Sequence, residues 1–165
     1  MKTNQSKTKV MLILPTLSGG GAERIFLTLA TAWQQFLPDR YELVFVVLSA
    51  TGAFKDQVPT GITVYDLQAP RARHAIVPLW RLVRRERPDI VLTTMQATTL
   101  FSLIRPWLPT RPVTIARLEN PYPEDMQNLH VLTRWLFTRA LVHADAVVTL
   151  NPAMRADLIK QTAVT

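Results

Sequence analysis

The chain has no cysteine, so disulfides, thiolate zinc sites and a cysteine nucleophile are excluded, and a reducing compartment is compatible with the composition. It lacks any window approaching the ~20 apolar residues of a membrane span. Lys2, Lys7 and Lys9 precede an apolar run shorter than the ~7–15 residues of a secretory h-region, with no small-residue cleavage site behind it. A mature cytoplasmic protein is therefore expected. Acidic residues are scarce. Twelve of them against 19 Lys and Arg give a net charge of +7, which points to an anionic partner such as a nucleotide, a membrane surface or nucleic acid. No helix-turn-helix, RNP or OB pattern accompanies the arginines, so nucleic acid is not the expected partner. There is no Gly-x-Ser-x-Gly elbow to supply a hydrolase nucleophile. His74, His130 and His143 stand apart without metal-ligand spacing, and no metal is expected.

Glycine is also sparse, and this makes its placement informative: three of the five glycines are adjacent. Residues 10–14 form an unbroken apolar run, a turn closes on Gly19, Gly20 and Gly21, and an amphipathic segment runs from Ala22 to about Leu37. A strand apolar at every position is buried on both faces, the mark of a parallel sheet covered by helices. The glycines remove side chains, and the first turn of the next helix offers unpaired N–H groups and the positive end of a macrodipole worth ~0.5 charge. Such a turn seats an anion such as phosphate; the competing reading is a tight connection that happens to use small residues. A dinucleotide fingerprint would need a third glycine where Arg24 stands, and no acidic residue ends the next strand. A P-loop would need Gly-Lys-Ser/Thr. NAD and a Walker-type ATP site are therefore excluded, and a phosphate-bearing ligand remains.

Strand patterns recur at 41–48, 62–67, 89–94, 112–118 and 145–150, separated by helical patterns at 75–87, 97–108, 129–143 and 152–161 and by a proline-rich loop at 119–125. Pro78 is tolerable only in a first turn, Pro88 stops its helix, Pro106 ends or kinks the next, and Pro152 suits a helix start. Six strands alternating with helices predict an α/β fold with a doubly wound, mostly parallel, Rossmann-like sheet, in one domain spanning residues 1–165. At 165 residues, 48% hydrophobic and 19% charged, the chain suits a single globular domain with a real core.

The stretch LPTLSGGGAERIFLTLA (14–30) resembles the N-terminal signature of the GT-B glycosyltransferases of family 4, with its Gly-Gly-Ala-Glu-Arg core. DIVLTTMQATTLFSLI (89–104), VTIARLENPYPED (113–125) and HADAVVTLNPAMRADLIK (143–160) resemble later segments of that family in the same order. The resemblance implies one of the two Rossmann-like domains of a GT-B fold: the N-terminal, acceptor-side domain of a retaining enzyme moving a sugar from a nucleotide-diphosphate donor to a glycan or lipid-linked acceptor in cell-envelope polysaccharide synthesis. It implies no covalently bound cofactor. Its C-terminal partner domain supplies the donor pocket and two glutamates separated by seven residues; no two glutamates here have that spacing, so this half is expected to be inactive alone. The family's serine after the sixth strand is Asn151, which can also cap a helix, and its histidine after the fourth strand is replaced by Met95 and Gln96.

Within the resemblance, Gly19, Gly20, Gly21 and Arg24 would approach the donor diphosphate, Arg24 being as well suited to a solvated helix face. Glu23 complements the helix end rather than acting as a base, because a carboxylate beside phosphate repels it. Thr16, Ser18, Gln96, Arg117, Glu119 and Asn120 all follow buried strands and open onto one crevice. All but Thr16 are the acceptor-binding candidates, against the simpler reading of turn-forming side chains. Arg71, Arg73, Arg81, Arg84, Arg85 and Arg87 crowd around Trp80, and Arg134 and Arg139 flank Trp135 and Phe137. Basic helices with aromatics suit a peripheral seat on an anionic membrane; alternatively the tryptophans pack inward and the arginines form a solvated face. A non-catalytic module binding a phosphorylated ligand stays open as the alternative function.

Overall fold

The computed structural model describes residues 7–94, 96–122 and 130–164. The expected helix start at Leu129, the end of the proline-rich loop at Asp125, and Met95 lie outside them. The central strand β1 (Thr8–Leu14) is the apolar run, and Val10 to Leu14 are all fully buried. After it come α1 (Gly21–Phe36), β2 (Tyr41–Val47), β3 (Thr63–Asp66), α2 (Ile76–Glu86), β4 (Ile90–Thr94), α3 (Gln96–Ile104), β5 (Val113–Arg117), α4 (Val131–Val142), β6 (Ala146–Val148) and α5 (Pro152–Gln161). The six strands are ordered β3-β2-β1-β4-β5-β6 and every pairing is parallel, the doubly wound Rossmann-like arrangement that the alternation predicts.

Burial alternates along β1 as two covered faces require. Met11 and Ile13 join Val44 and Val46 under α2 and α3 through Leu79, Val83, Leu100 and Phe101. Val10, Leu12 and Leu14 join Phe45 and Val47 under α1 through Phe26, Leu27 and Ala30. A third cluster, around Phe137, Leu141, Met154 and Leu158, packs α4 and α5 together beside Ala116 and Leu118 of the β5 end. Each fully buried aliphatic side chain contributes ~1.5–3 kcal/mol, so β1 is the main hydrophobic anchor of both layers.

Local chemistry sets the helix ends. α2 stops at Arg87, which turns left-handed (φ 47°) ahead of Pro88. α3 is shorter than the periodicity predicts, because Pro106 cannot continue an α-helix and residues 105–107 tighten into a 3-10 turn. α5 opens with Asn151 Oδ1 accepting from the Met154 N–H at 2.9 Å and Pro152 in the first turn. One sheet face is left partly bare. By register Val113, Ile115, Ala146 and Val148 share the face that α1 covers farther along the sheet, yet Val113 and Val148 are each 48% exposed.

The N-terminal edge is held by charge. Lys9 Nζ pairs with Glu42 at 3.0 Å and Glu86 at 3.2 Å, and Glu86 also accepts from Tyr65 Oη at 2.9 Å and Arg85 Nε at 3.0 Å. Burial alone would raise the Glu86 carboxyl, but the bonds from Tyr65, Lys9 and Arg85 together hold it below its ordinary value of 4.5. Asp145, accepting from the Thr114 N–H and from Arg105, is likewise held low. A carboxyl depressed in the folded state contributes stability that is complete above its unfolded value and is lost as pH falls through the folded one. Denaturant stability should therefore fall as pH drops below about 4.5, and less so in Glu86→Gln, which has no proton to take up there. A pH profile identical in the two proteins would show that Glu86 is not coupled to folding.

Candidate active site

Strand order reverses between β1 and β4: from β1 the chain winds one way to β3, and from β4 the other way to β6. Ligands of open α/β sheets bind outside the carboxyl ends of the strands at such a switch point. The turn after β1, the start of α3 after β4 and the segment after β5 all stand at that edge. The edge thus gathers Ser18, Gly19, Gly20, Gly21, Gln96, Arg117, Glu119 and Asn120 at one end of the sheet.

Gly19, Gly20 and Gly21 are exposed, so the turn is not packed away. Gly19 has φ +107°, a conformation that a residue with a Cβ rarely adopts. Gly20 is the N-cap and Gly21 the first residue of α1; a side chain on Gly21 would enter open space. The backbone beneath is fixed by the loop leaving β2. Leu17 N–H donates to the Thr51 carbonyl at 3.1 Å, and the Phe54 N–H donates to the Leu17 carbonyl at 3.0 Å. Gly52, at φ +121°, sits so close that an added Cβ would lie 2.3 Å from the Leu17 oxygen and the Ser18 Cα. The segment 49–52 that follows β2 is therefore the support of the turn, a role the sequence signals only by one isolated glycine.

Glu23 is only 6% exposed. Its Oε1 accepts from Ser18 Oγ at 3.2 Å and lies 3.3 Å from Thr16 Oγ1, which itself donates to Ser18 Oγ at 2.9 Å. At the third helical position the carboxylate complements the helix end, worth ~0.3–1 kcal/mol, as expected. Its two hydroxyl partners could not be foreseen from spacing. Arg24 is exposed and its guanidinium lies 5.6 Å from the centre of the Phe54 ring, on the flank of the turn.

At the ends of β4 and β5, Arg117 is 8% exposed and Thr94 fully buried. Arg117 Nη1 donates to Glu119 Oε1 at 2.9 Å, and Thr94 Oγ1 donates to the same oxygen. This three-residue network ties the ends of β4 and β5 and fixes where the following segment leaves the sheet. Gln96 and Asn120 are exposed at the same edge. Among the described residues no three His, Asp or Glu side chains stand together to hold a metal ion. His130 caps α4, its Nδ1 accepting from the Leu132 N–H at 3.3 Å, while His74 and His143 are exposed.

Two glycine substitutions separate support from opening. Gly52→Ala meets backbone at a positive φ and should cost more than about 2 kcal/mol in denaturant unfolding. Gly20→Ala, at φ −76°, meets only the movable end of Glu23 and should cost less than about 1 kcal/mol. Equal losses in the two would contradict this division of roles.

Solved structures of the same fold include sucrose-phosphate synthase from Thermosynechococcus elongatus, at 10% identity and TM-score 0.71, covering 93% of this chain and 45% of that one. The lipopolysaccharide outer core galactosyltransferase WaaB in its apo form is similar at 14% identity and TM-score 0.67, covering 93% and 42%. UDP-GlcNAc 2-epimerase from Methanocaldococcus jannaschii is similar at 12% identity and TM-score 0.63, covering 93% and 42%. At these identities the likeness is one of fold, that of a GT-B Rossmann-like domain, and this chain spans less than half of each. Among proteins of curated function none matches significantly. The sequence model of Glycosyltransferase Family 4 matches residues 19–164, from the first glycine of the exposed turn to the final described residue, and the chain belongs to that family.

Proposed function

We propose that this chain is the acceptor-side, N-terminal half of a retaining glycosyltransferase, which moves a sugar from a nucleotide-diphosphate donor to a glycan or lipid-linked acceptor in cell-envelope polysaccharide synthesis. The observation that carries the reading is the exposed glycine turn at the switch point of a family 4 chain. Sugar transfer breaks the anomeric C–O bond and leaves negative charge on the departing phosphate oxygen, which must be stabilised in a site closed to water. Backbone N–H groups of Gly19, Gly20 and Gly21 and the N-terminus of α1 serve that charge from this side. One helix end gives ~0.3–1 kcal/mol when exposed and ~2 when partly buried, so most of the stabilisation falls to a donor-binding C-terminal domain.

Ser18, whose proton points to Glu23, keeps an acceptor lone pair for the incoming sugar, and Gln96, Glu119 and Asn120 line the opposite side. Arg117, buried against Glu119, holds that side in place. Arg24 reaches phosphate by leaving Phe54, at a cost of ~0.5–1 kcal/mol for an exposed cation–π contact. The half-exposed Val113 and Val148 support a covering second domain, because parallel sheets bury both faces. The names of the galactosyltransferase and of the UDP-GlcNAc epimerase that share the fold favour a nucleotide-sugar donor and a glycan acceptor.

Peripheral contact with the inner face of an anionic membrane belongs to the same proposal. No helix among the described residues is long and apolar enough to cross a membrane. Trp135 points outward at 55% exposure while Phe137 is buried, and Arg134 and Arg139 are exposed beside it. The chain should sediment with anionic but not neutral vesicles, and more weakly as salt rises; indifference to lipid charge would remove the membrane from the proposal. Supplied alone with nucleotide sugars and acceptors, residues 1–165 should transfer no sugar, and measurable turnover would contradict the need for a second domain.

A further inference from the structure

We propose that the groove between α3 and α4 is a headgroup site for an anionic phospholipid, with Arg111 and Arg139 gripping the phosphodiester and Trp135 at the acyl boundary. It rests on the membrane reading above and deepens it by naming the residues and the ligand chemistry. The groove has a volume of about 470 Å³ and runs from Thr98 near the start of α3 to Arg105 and His143, where α3 and α4 end, and to Arg111 just before β5. It thus descends toward the N-terminal edge of the sheet, away from the glycine turn.

Its charges are unequally committed. Arg105 donates to the His143 carbonyl at 2.5 Å and to Asp145 at 2.7 Å, and Asp145 accepts in addition from the Thr114 N–H at 2.7 Å. That arginine and the neighbouring carboxylate satisfy each other. Arg111 and Arg139 are exposed and form no ion pair among the described residues; Arg139 lies 5.4 Å from the centre of the Trp135 ring. Two unmatched guanidinium groups over one trench suit phosphate oxygens, which a planar fork binds in pairs.

The walls decide between a free anion and a lipid. Leu103, Pro106, Trp135 and Leu136 give the trench an apolar side that a small anion does not need and that the first carbons of acyl chains do. Outside the groove, Trp107 at 77% exposure continues the apolar surface, its carbonyl accepting from Trp80 Nε1 at 3.1 Å. Indole rings with one polar edge favour the headgroup level of a bilayer. Cations within a wall of exposed tryptophan and leucine match an anionic headgroup and its chain together.

The test uses dihexanoylphosphatidylglycerol below its micelle threshold, with dihexanoylphosphatidylcholine and inorganic phosphate as controls. The readout is the indole N–H resonance of Trp135, assigned through Trp135→Phe. The anionic lipid should shift that resonance, the two controls at equal concentration should not, and R111A/R139A should abolish the shift. In sedimentation with phosphatidylglycerol vesicles the same double variant should lose on the order of tenfold or more in partitioning, and R81A/R84A on α2 clearly less. A silent Trp135, a shift that survives R111A/R139A, an equal shift with inorganic phosphate, or an equal loss in R81A/R84A would each overturn the site. Vesicle binding with a silent Trp135 removes the groove and leaves the membrane reading; a shifted Trp135 without vesicle binding does the reverse.

Discussion

Both backbone polar groups of Leu17 are bonded to the loop that leaves β2, the N–H to Thr51 and the carbonyl to Phe54. That double link is the constraint on which the site depends. β1 reaches the edge of the sheet as a fully buried ribbon, and a chain leaving such a strand would be free to fold back over the core. Held by its neighbour's loop, it turns instead through Gly19 and enters α1 with Gly20 and Gly21 uncovered. The anchor needs Gly52, because no Cβ fits between the two segments. Core burial thus fixes the strand, the strand and its neighbour fix the turn, and the turn leaves three glycines exposed at the C-terminal edge of the sheet.

Charge in this molecule is sorted by place. At the N-terminal edge Lys9, Glu42, Glu86 and Arg85 neutralise one another, with Tyr65 as a further donor. At the C-terminal edge the buried Arg117 is matched by the partly buried Glu119, and Glu23 is screened by two hydroxyls. The excess of 19 basic over 12 acidic residues is carried instead by exposed arginines elsewhere, among them Arg81 on α2, Arg111 ahead of β5, and Arg134 and Arg139 on α4. A strongly basic chain thus need not have a strongly basic cleft.

Much of the architecture could be read from the sequence, because buried parallel strands and proline stops are local signals. The apolar run at 10–14, the parallel alternation and the Asn151–Pro152 helix start all lie where the pattern places them. The triple glycine was legible as an open turn, since few other roles suit three adjacent residues without side chains. Its support was not. Gly52 matters through a contact with residues 17 and 18, and periodicity holds no information about a partner more than thirty positions away. For the same reason Arg117 and Glu119 read only as acceptor-binding candidates or turn-forming side chains, whereas in the fold they share a bond under Thr94. Trp135 and Phe137 lie about 200° apart around their helix, so only one of them can face the core, and packing decides that it is Phe137.

In the proposed function, bare amide groups after β1 receive the phosphates of a nucleotide sugar. Backbone amide shifts during titration with UDP, GDP and ADP test it most directly, read on the wild-type chain and on Gly21→Asp, which puts a carboxylate into the open space. Weak binding by at least one of them is expected, with the largest shifts at Gly19, Gly20 and Gly21 and their loss in Gly21→Asp. Shifts confined to other surfaces, or a variant that binds as well as the wild type, would contradict it.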